Sequence, residues 1–135
     1  MRKVGMTLDL VAVLVFVGIG RAAHAHGTAI AGLASTAWPF LSGLAAGWLV
    51  VAAGRRDGTS LSGGMVVWLA TVVLGMVLRA ISGQGTAVAF VFVALAFLGL
   101  TMLGWRGLAA VLRYRRSSGQ MPETRTETSL SSRAQ

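Results

Sequence analysis

The chain has 135 residues, 55% of them hydrophobic and only 12% charged, and a water-soluble domain of that length needs more polar surface to cover itself. It holds no cysteine, which excludes disulfides, thiolate metal sites and cysteine nucleophiles. Its formal charge of +8 gathers at the ends of apolar runs, as membrane insertion requires, and not along a face that would meet nucleic acid.

Crossing ~30 Å of hydrocarbon takes about 20 apolar residues. Four runs are long enough, and they lack the alternation of a barrel, so an all-α membrane protein with four transmembrane helices is expected. The first run, 4–25, contains Asp9 and Arg21. On a helical wheel Asp9 shares a face with Gly5, Ala12, Phe16 and Gly20, so it should face another helix. It is read first as an inner-end anchor paired with Arg106 or a loop arginine, and second as an intramembrane carboxylate carrying a proton or cation. A cleaved signal peptide ending in Ala23-His24-Ala25 is set aside, because Asp9 interrupts the apolar region and Arg21 crowds the cut. His24 and His26 supply two ligands where zinc takes three or four, so no metal is expected.

The second run, 28–53, contains Trp38-Pro39-Phe40. Its helix starts either near Thr28, with Pro39 inside and the Ser35 carbonyl deprived of its donor, or at Pro39 itself. Gly43-x-x-x-Gly47 permits close helix packing, within the chain or, as the lesser alternative, in a homodimer. RRDGTS, 55–60, is a turn. The third run, 62–81, carries Arg79 near its end, and SGQG, 82–85, is the next tight turn. The fourth is 86–105, and RGLAAVLRYRR, 106–116, continues it into an anionic headgroup layer. Residues 1–116 thus form the membrane domain, and the Ser/Thr-rich tail 117–135 should be disordered and cytoplasmic. Trp38, Trp48, Trp68 and Trp105 are read as interface or packing residues.

Eight basic residues before the tail (Arg2, Lys3, Arg55, Arg56, Arg106, Arg113, Arg115 and Arg116) fall on one side, and Arg21 and Arg79 on the other. The positive-inside rule then puts both termini in the cytoplasm of a bacterial plasma membrane.

RAAHAHGTAIA from Arg21 and RAISGQGTAVA from Arg79 agree at six of eleven positions, and Gly47-Trp48 falls on Gly104-Trp105. Two tandem parallel hairpins related about the membrane normal would produce this. The repeat places Arg21 and Arg79 at the outer side, each followed by Gly-Thr leading into a helix (Thr28, Thr86). Together they form a candidate site for a phosphate or carboxylate headgroup. The plainer alternative is two headgroup anchors.

LDLVAVLVFVGIGR, WPFLSGLAAGW, and the run from GGMVVWLATVVLGMVLR through GQGTAVAFVFVALAFLGL to GWR resemble domain-of-unknown-function family 3054. These are small bacterial, mainly actinobacterial, integral membrane proteins. The resemblance covers roughly residues 7–107 and implies membrane residence without an assigned reaction.

No Ser-His-Asp set, phosphate loop or carboxylate pair is found, so neither an enzyme nor a cofactor is expected. Two functions stay open. The preferred one is a non-catalytic membrane subunit or scaffold, packing against itself or a larger membrane complex. The other is a small transporter or an anion- or lipid-headgroup-binding protein that uses Arg21 and Arg79.

Overall fold

The computed structural model describes residues 2–23 and 30–118. Among them every regular element is helical: α1 (Arg2–Ala23), α2 (Ile30–Ala53), α3 (Leu61–Ile81) and α4 (Val88–Ser118). At 1.5 Å per residue these measure roughly 33, 36, 32 and 46 Å, against ~30 Å of hydrocarbon. All four are long and apolar enough to cross a membrane.

The distribution of side chains agrees with that length. Leu49, Val73, Ile81, Phe92 and Leu100 are exposed, whereas Asp9, Thr71 and Arg106 are buried. An apolar exterior around partly polar contents suits hydrocarbon and not water. The protein is a multi-pass membrane protein.

The helices form a ring in the order α1–α2–α3–α4, with close backbone approach between neighbours around it and ring contacts such as Phe40 with Phe90 across its centre. Each neighbouring pair is antiparallel. One end, the terminal end, therefore holds Arg2, the 54–60 turn and the last turns of α4. The other, the distal end, holds the 82–87 turn. Along the centre lie Val13, Phe16, Phe40, Val67, Ala94, Leu98 and Met102, all buried. The Phe16 ring meets Phe40 edge-on, with centroids 5.5 Å apart.

The tightest seam is α2 against α3. A Cβ on Gly43 would stand 2.8 Å from the Thr71 carbonyl oxygen, and one on Gly47 would stand 2.9 Å from the Val67 Cα. The two backbones thus touch where any other residue would part them. Gly43 and Gly47 are engaged inside the chain.

Several boundaries differ from those read off the sequence. α1 starts at Arg2, two residues earlier, because the first turn tolerates charge. α2 runs unbroken through Pro39, so the proline is internal and is not a first-turn residue. α4 starts at Val88, not Thr86, since Gly83 and Gly85 hold left-handed φ values of +69° and +75° and delay the helix. Thr86 is left exposed in the turn. Ser117 and Ser118, assigned to the tail, belong to α4. Thr28, His24 and His26 lie outside the described residues, as does the rest of the tail.

Candidate functional site

Polar side chains gather at both ends of the bundle. At the terminal end Asp9 and Arg106 form a bidentate ion pair, with Nη1 to Oδ1 at 2.8 Å and Nη2 to Oδ2 at 2.7 Å. The indole nitrogens of Trp48 and Trp105 each donate to one of the same two oxygens, both at 3.1 Å. Arg106 also donates to the carbonyls of Gly58 and Met102 and lies 4.4 Å over the Trp105 ring. The carboxylate is thereby satisfied by four donors, as a buried charge requires.

The local sequence builds this nest. In the RRDGTS turn, Asp57 Oδ1 accepts from the backbone N–H and the hydroxyl of Thr59, at 2.9 and 2.7 Å. Ser60 caps α3 by accepting from the Gly63 N–H at 3.1 Å. That turn aims the Gly58 carbonyl at Arg106. A side chain at Gly58 would strike the Trp48 ring, and one at Gly64 would strike the Arg106 stem. Arg106, counted by charge with the inner-side cations and also offered by the sequence as a partner for Asp9, is buried and is that partner. Its charge is answered by Asp9 and not by headgroups.

At the distal end Arg21 Nη1 donates to the Thr36 hydroxyl at 3.0 Å, and its guanidinium lies over Gly32, where no Cβ would fit. Arg79 donates to the Gln84 side-chain oxygen at 3.1 Å and to the carbonyls of Gln84 and Gly85 at 3.1 and 3.3 Å. It also stacks 4.6 Å from the Phe90 ring centre. Gln84 Nε2 then donates to the Ser35 carbonyl at 2.9 Å. That carbonyl is the one Pro39 deprives of its helical donor. A turn residue of the second hairpin thus fills the gap made by a proline of the first.

Arg21 and Arg79 line one cavity. A second, of about 350 Å³, adjoins the first of about 330 Å³, and both arginines, Thr36 and Gln84 line each of them. Thr86 is not among their walls. A cavity of about 670 Å³ lies instead between α1 and α2 at the terminal end, with apolar walls and Arg2 and Arg56 at its rim. Among the described residues no group of three metal-ligating side chains occurs.

The model of a family described as protein of unknown function (DUF3054) matches residues 6–109. The chain belongs to that family. The match to DUF3054 takes in Asp9, Arg21, Arg79 and Arg106, so both polar clusters lie inside the family segment. No curated protein and no solved structure matches the chain.

Residue spacing pointed to Asp9, Arg21, Arg79, Gly43 and Gly47 as positions of interest. It missed Trp48 and Trp105 as donors, Gln84 and Thr36 as arginine partners, and Gly58 and Gly64 as the cradle of Arg106. For the tryptophans a signal existed: Gly47-Trp48 and Gly104-Trp105 are matching positions of the internal comparison, and both indoles meet at Asp9.

Proposed function

We propose that this DUF3054 protein is a non-catalytic plasma-membrane protein that holds an anionic group, phosphate or carboxylate, between Arg21 and Arg79 at the outer face of a bacterial membrane. The observation that carries the reading is that two arginines from different hairpins line the same adjoining cavities. Guanidinium forks suit phosphate and carboxylate oxygens. The three hydrogen bonds of Arg79 use one hydrogen on each nitrogen, which leaves two of its five for a ligand.

The orientation rests on basic residues. With Arg106 set aside as buried, seven cations before the tail flank the terminal end and two flank the distal end. This favours a cytoplasmic terminal end. Binding is favoured over transport because Val13, Phe16, Phe40, Val67 and Leu98 fill the bundle between the cavity and Asp9. A scaffold or homodimer role loses its chief motif, since Gly43 and Gly47 are engaged with α3. Matching positions of the two hairpins converge twice, Arg21 with Arg79 and Trp48 with Trp105, which supports a duplication about the membrane normal.

Thermal unfolding of the full chain in detergent at low salt, with glycerol 3-phosphate as headgroup probe, tests the reading. The probe should raise Tm, and Arg21→Gln and Arg79→Gln should each remove most of the shift. If either variant keeps the full shift, the paired site is wrong.

A further inference from the structure

We infer that the anion at Arg21 and Arg79 is the headgroup of an outer-leaflet lipid whose acyl chain lies in the groove between α1 and α4, an inference that rests on the arginine-pair reading above. The polar cavity does not end at the arginines. It shares Phe16, Gly20, Ala87 and Phe90 with an apolar cavity of about 410 Å³ that runs on to Val93 and Phe97. The lining therefore changes in one direction, from guanidinium, hydroxyl and carboxamide at the distal end to hydrocarbon and phenyl rings deeper in. An anionic head on an apolar chain fits that gradient, whereas a water-soluble anion fills only its first half.

The dimensions agree. Ala87 to Phe97 is a ten-residue step, roughly 15 Å at the helical rise. That is half of the ~30 Å hydrocarbon core, the depth of a single leaflet. Ile19 and Val93 at the lip of the groove are both 56% exposed, so a chain reaches it sideways from the bilayer. The groove exists because its walls are small there: among the described residues no other side chain lies within 4 Å of the place a Cβ on Gly20 would occupy, and Ala87 and Ala89 stand opposite. Phe90 walls both cavities and carries the Arg79 guanidinium on its face, which joins the head site to the chain site.

The test uses the full chain in phosphatidylcholine nanodiscs, with phosphatidic acid as lipid probe and glycerol 3-phosphate as its chainless counterpart. Native mass spectrometry should show phosphatidic acid retained about tenfold over phosphatidylcholine, which corresponds to ~1.4 kcal/mol. Ala89→Leu and, independently, Val93→Trp, which both wall only the apolar cavity, should bring the two lipids to parity. Both should keep the glycerol 3-phosphate shift in Tm, which also reports that they fold. Arg21→Gln should lose both responses. If the groove variants retain phosphatidic acid like the wild type, the chain site is overturned and the arginine site survives. If glycerol 3-phosphate stabilises the protein but phosphatidic acid shows no preference, the ligand is a soluble anion. If neither probe binds, the arginine reading falls, and this inference falls with it.

Discussion

Asp9 and Arg106, 97 residues apart in the chain, meet in a two-pronged ion pair of 2.7 and 2.8 Å with both side chains fully buried. The pair ties the first helix to the last and so closes the ring. Removing one partner leaves a bare charge in a medium of low dielectric, while removing both leaves none. Asp9→Asn and Arg106→Gln should therefore each cost about 3–5 kcal/mol. The double replacement Asp9→Leu with Arg106→Met should cost clearly less than the two single losses combined. Equilibrium unfolding in mixed micelles measures this, and additive losses would show that the two charges are not coupled.

The tryptophans give an internal contrast. Trp48 donates to the Asp9 carboxylate, whereas the buried Trp68 nitrogen has no hydrogen-bond partner among the described residues. Trp48→Phe removes a bond to a charged group, of the kind worth about 1.5–3 kcal/mol. Trp68→Phe removes an unmet donor and should lower Tm less, or raise it. Equal losses in the two variants would contradict the bond to Asp9.

Gln84 and Pro39 should be coupled although they lie on different hairpins. Gln84→Ala strips the Ser35 carbonyl of its donor, and the loss should be about 1 kcal/mol. In a Pro39→Ala background the helix supplies its own N–H to Ser35, so the same change at Gln84 should cost less. A double-mutant cycle by thermal unfolding reads the difference. No coupling would mean that the cross-hairpin bond is not made.

The glycines around Arg106 should not be equivalent to those on the outside of α4. A methyl at Gly64 strikes the Arg106 stem, but one at Gly104 or Gly107 meets nothing within 4 Å. Gly64→Ala should destabilise by about 1–3 kcal/mol through overpacking. Gly104→Ala should be neutral or stabilising, because alanine is the better helix former. Tm of the two purified variants settles the order.

Much of the fold was legible in the sequence. Run length and hydropathy mark four spans because hydrocarbon imposes a single length on any helix that crosses it. The face of Asp9 follows from helical periodicity, and Gly5, Ala12 and Phe16 are indeed buried beside it. What stayed hidden depends on pairing between distant elements. No local feature of Trp48 separates a carboxylate donor from an interface anchor, since the same residue type serves both. Arg106 sits in a row of arginines, so the sequence offers it to Asp9 only alongside the loop arginines, and the structure selects it. Only the antiparallel closure of α4 on α1 turns it inward. The start of α4 was misjudged because Gly-Thr suggests a helix start, whereas the left-handed glycines extend the turn past Thr86.

Asp57 should make stability depend on acid. The hydroxyl and then the backbone N–H of Thr59 hold its carboxyl below the ordinary value of 3.8, and Arg113 and Arg106 pull the same way. A group whose pKa is depressed on folding stabilises the fold above its unfolded pKa and loses that contribution as pH falls through the folded one. Asp57 is exposed, so the effect is small. Wild type should exceed Asp57→Ala in Tm at pH 7, and the gap should narrow below about pH 4. A gap that is constant down to pH 2 would dismiss the titration.

The union of first and last helix also governs how the chain is made. At about 5–20 residues per second, Arg106 leaves the ribosome some 5 to 20 seconds after Asp9. Throughout that interval the opening helix enters the bilayer with a carboxylate that insertion penalises by about 3 kcal/mol. A nascent chain stopped after α3 is thus a recognisably unfinished object, with one acid marking the vacancy.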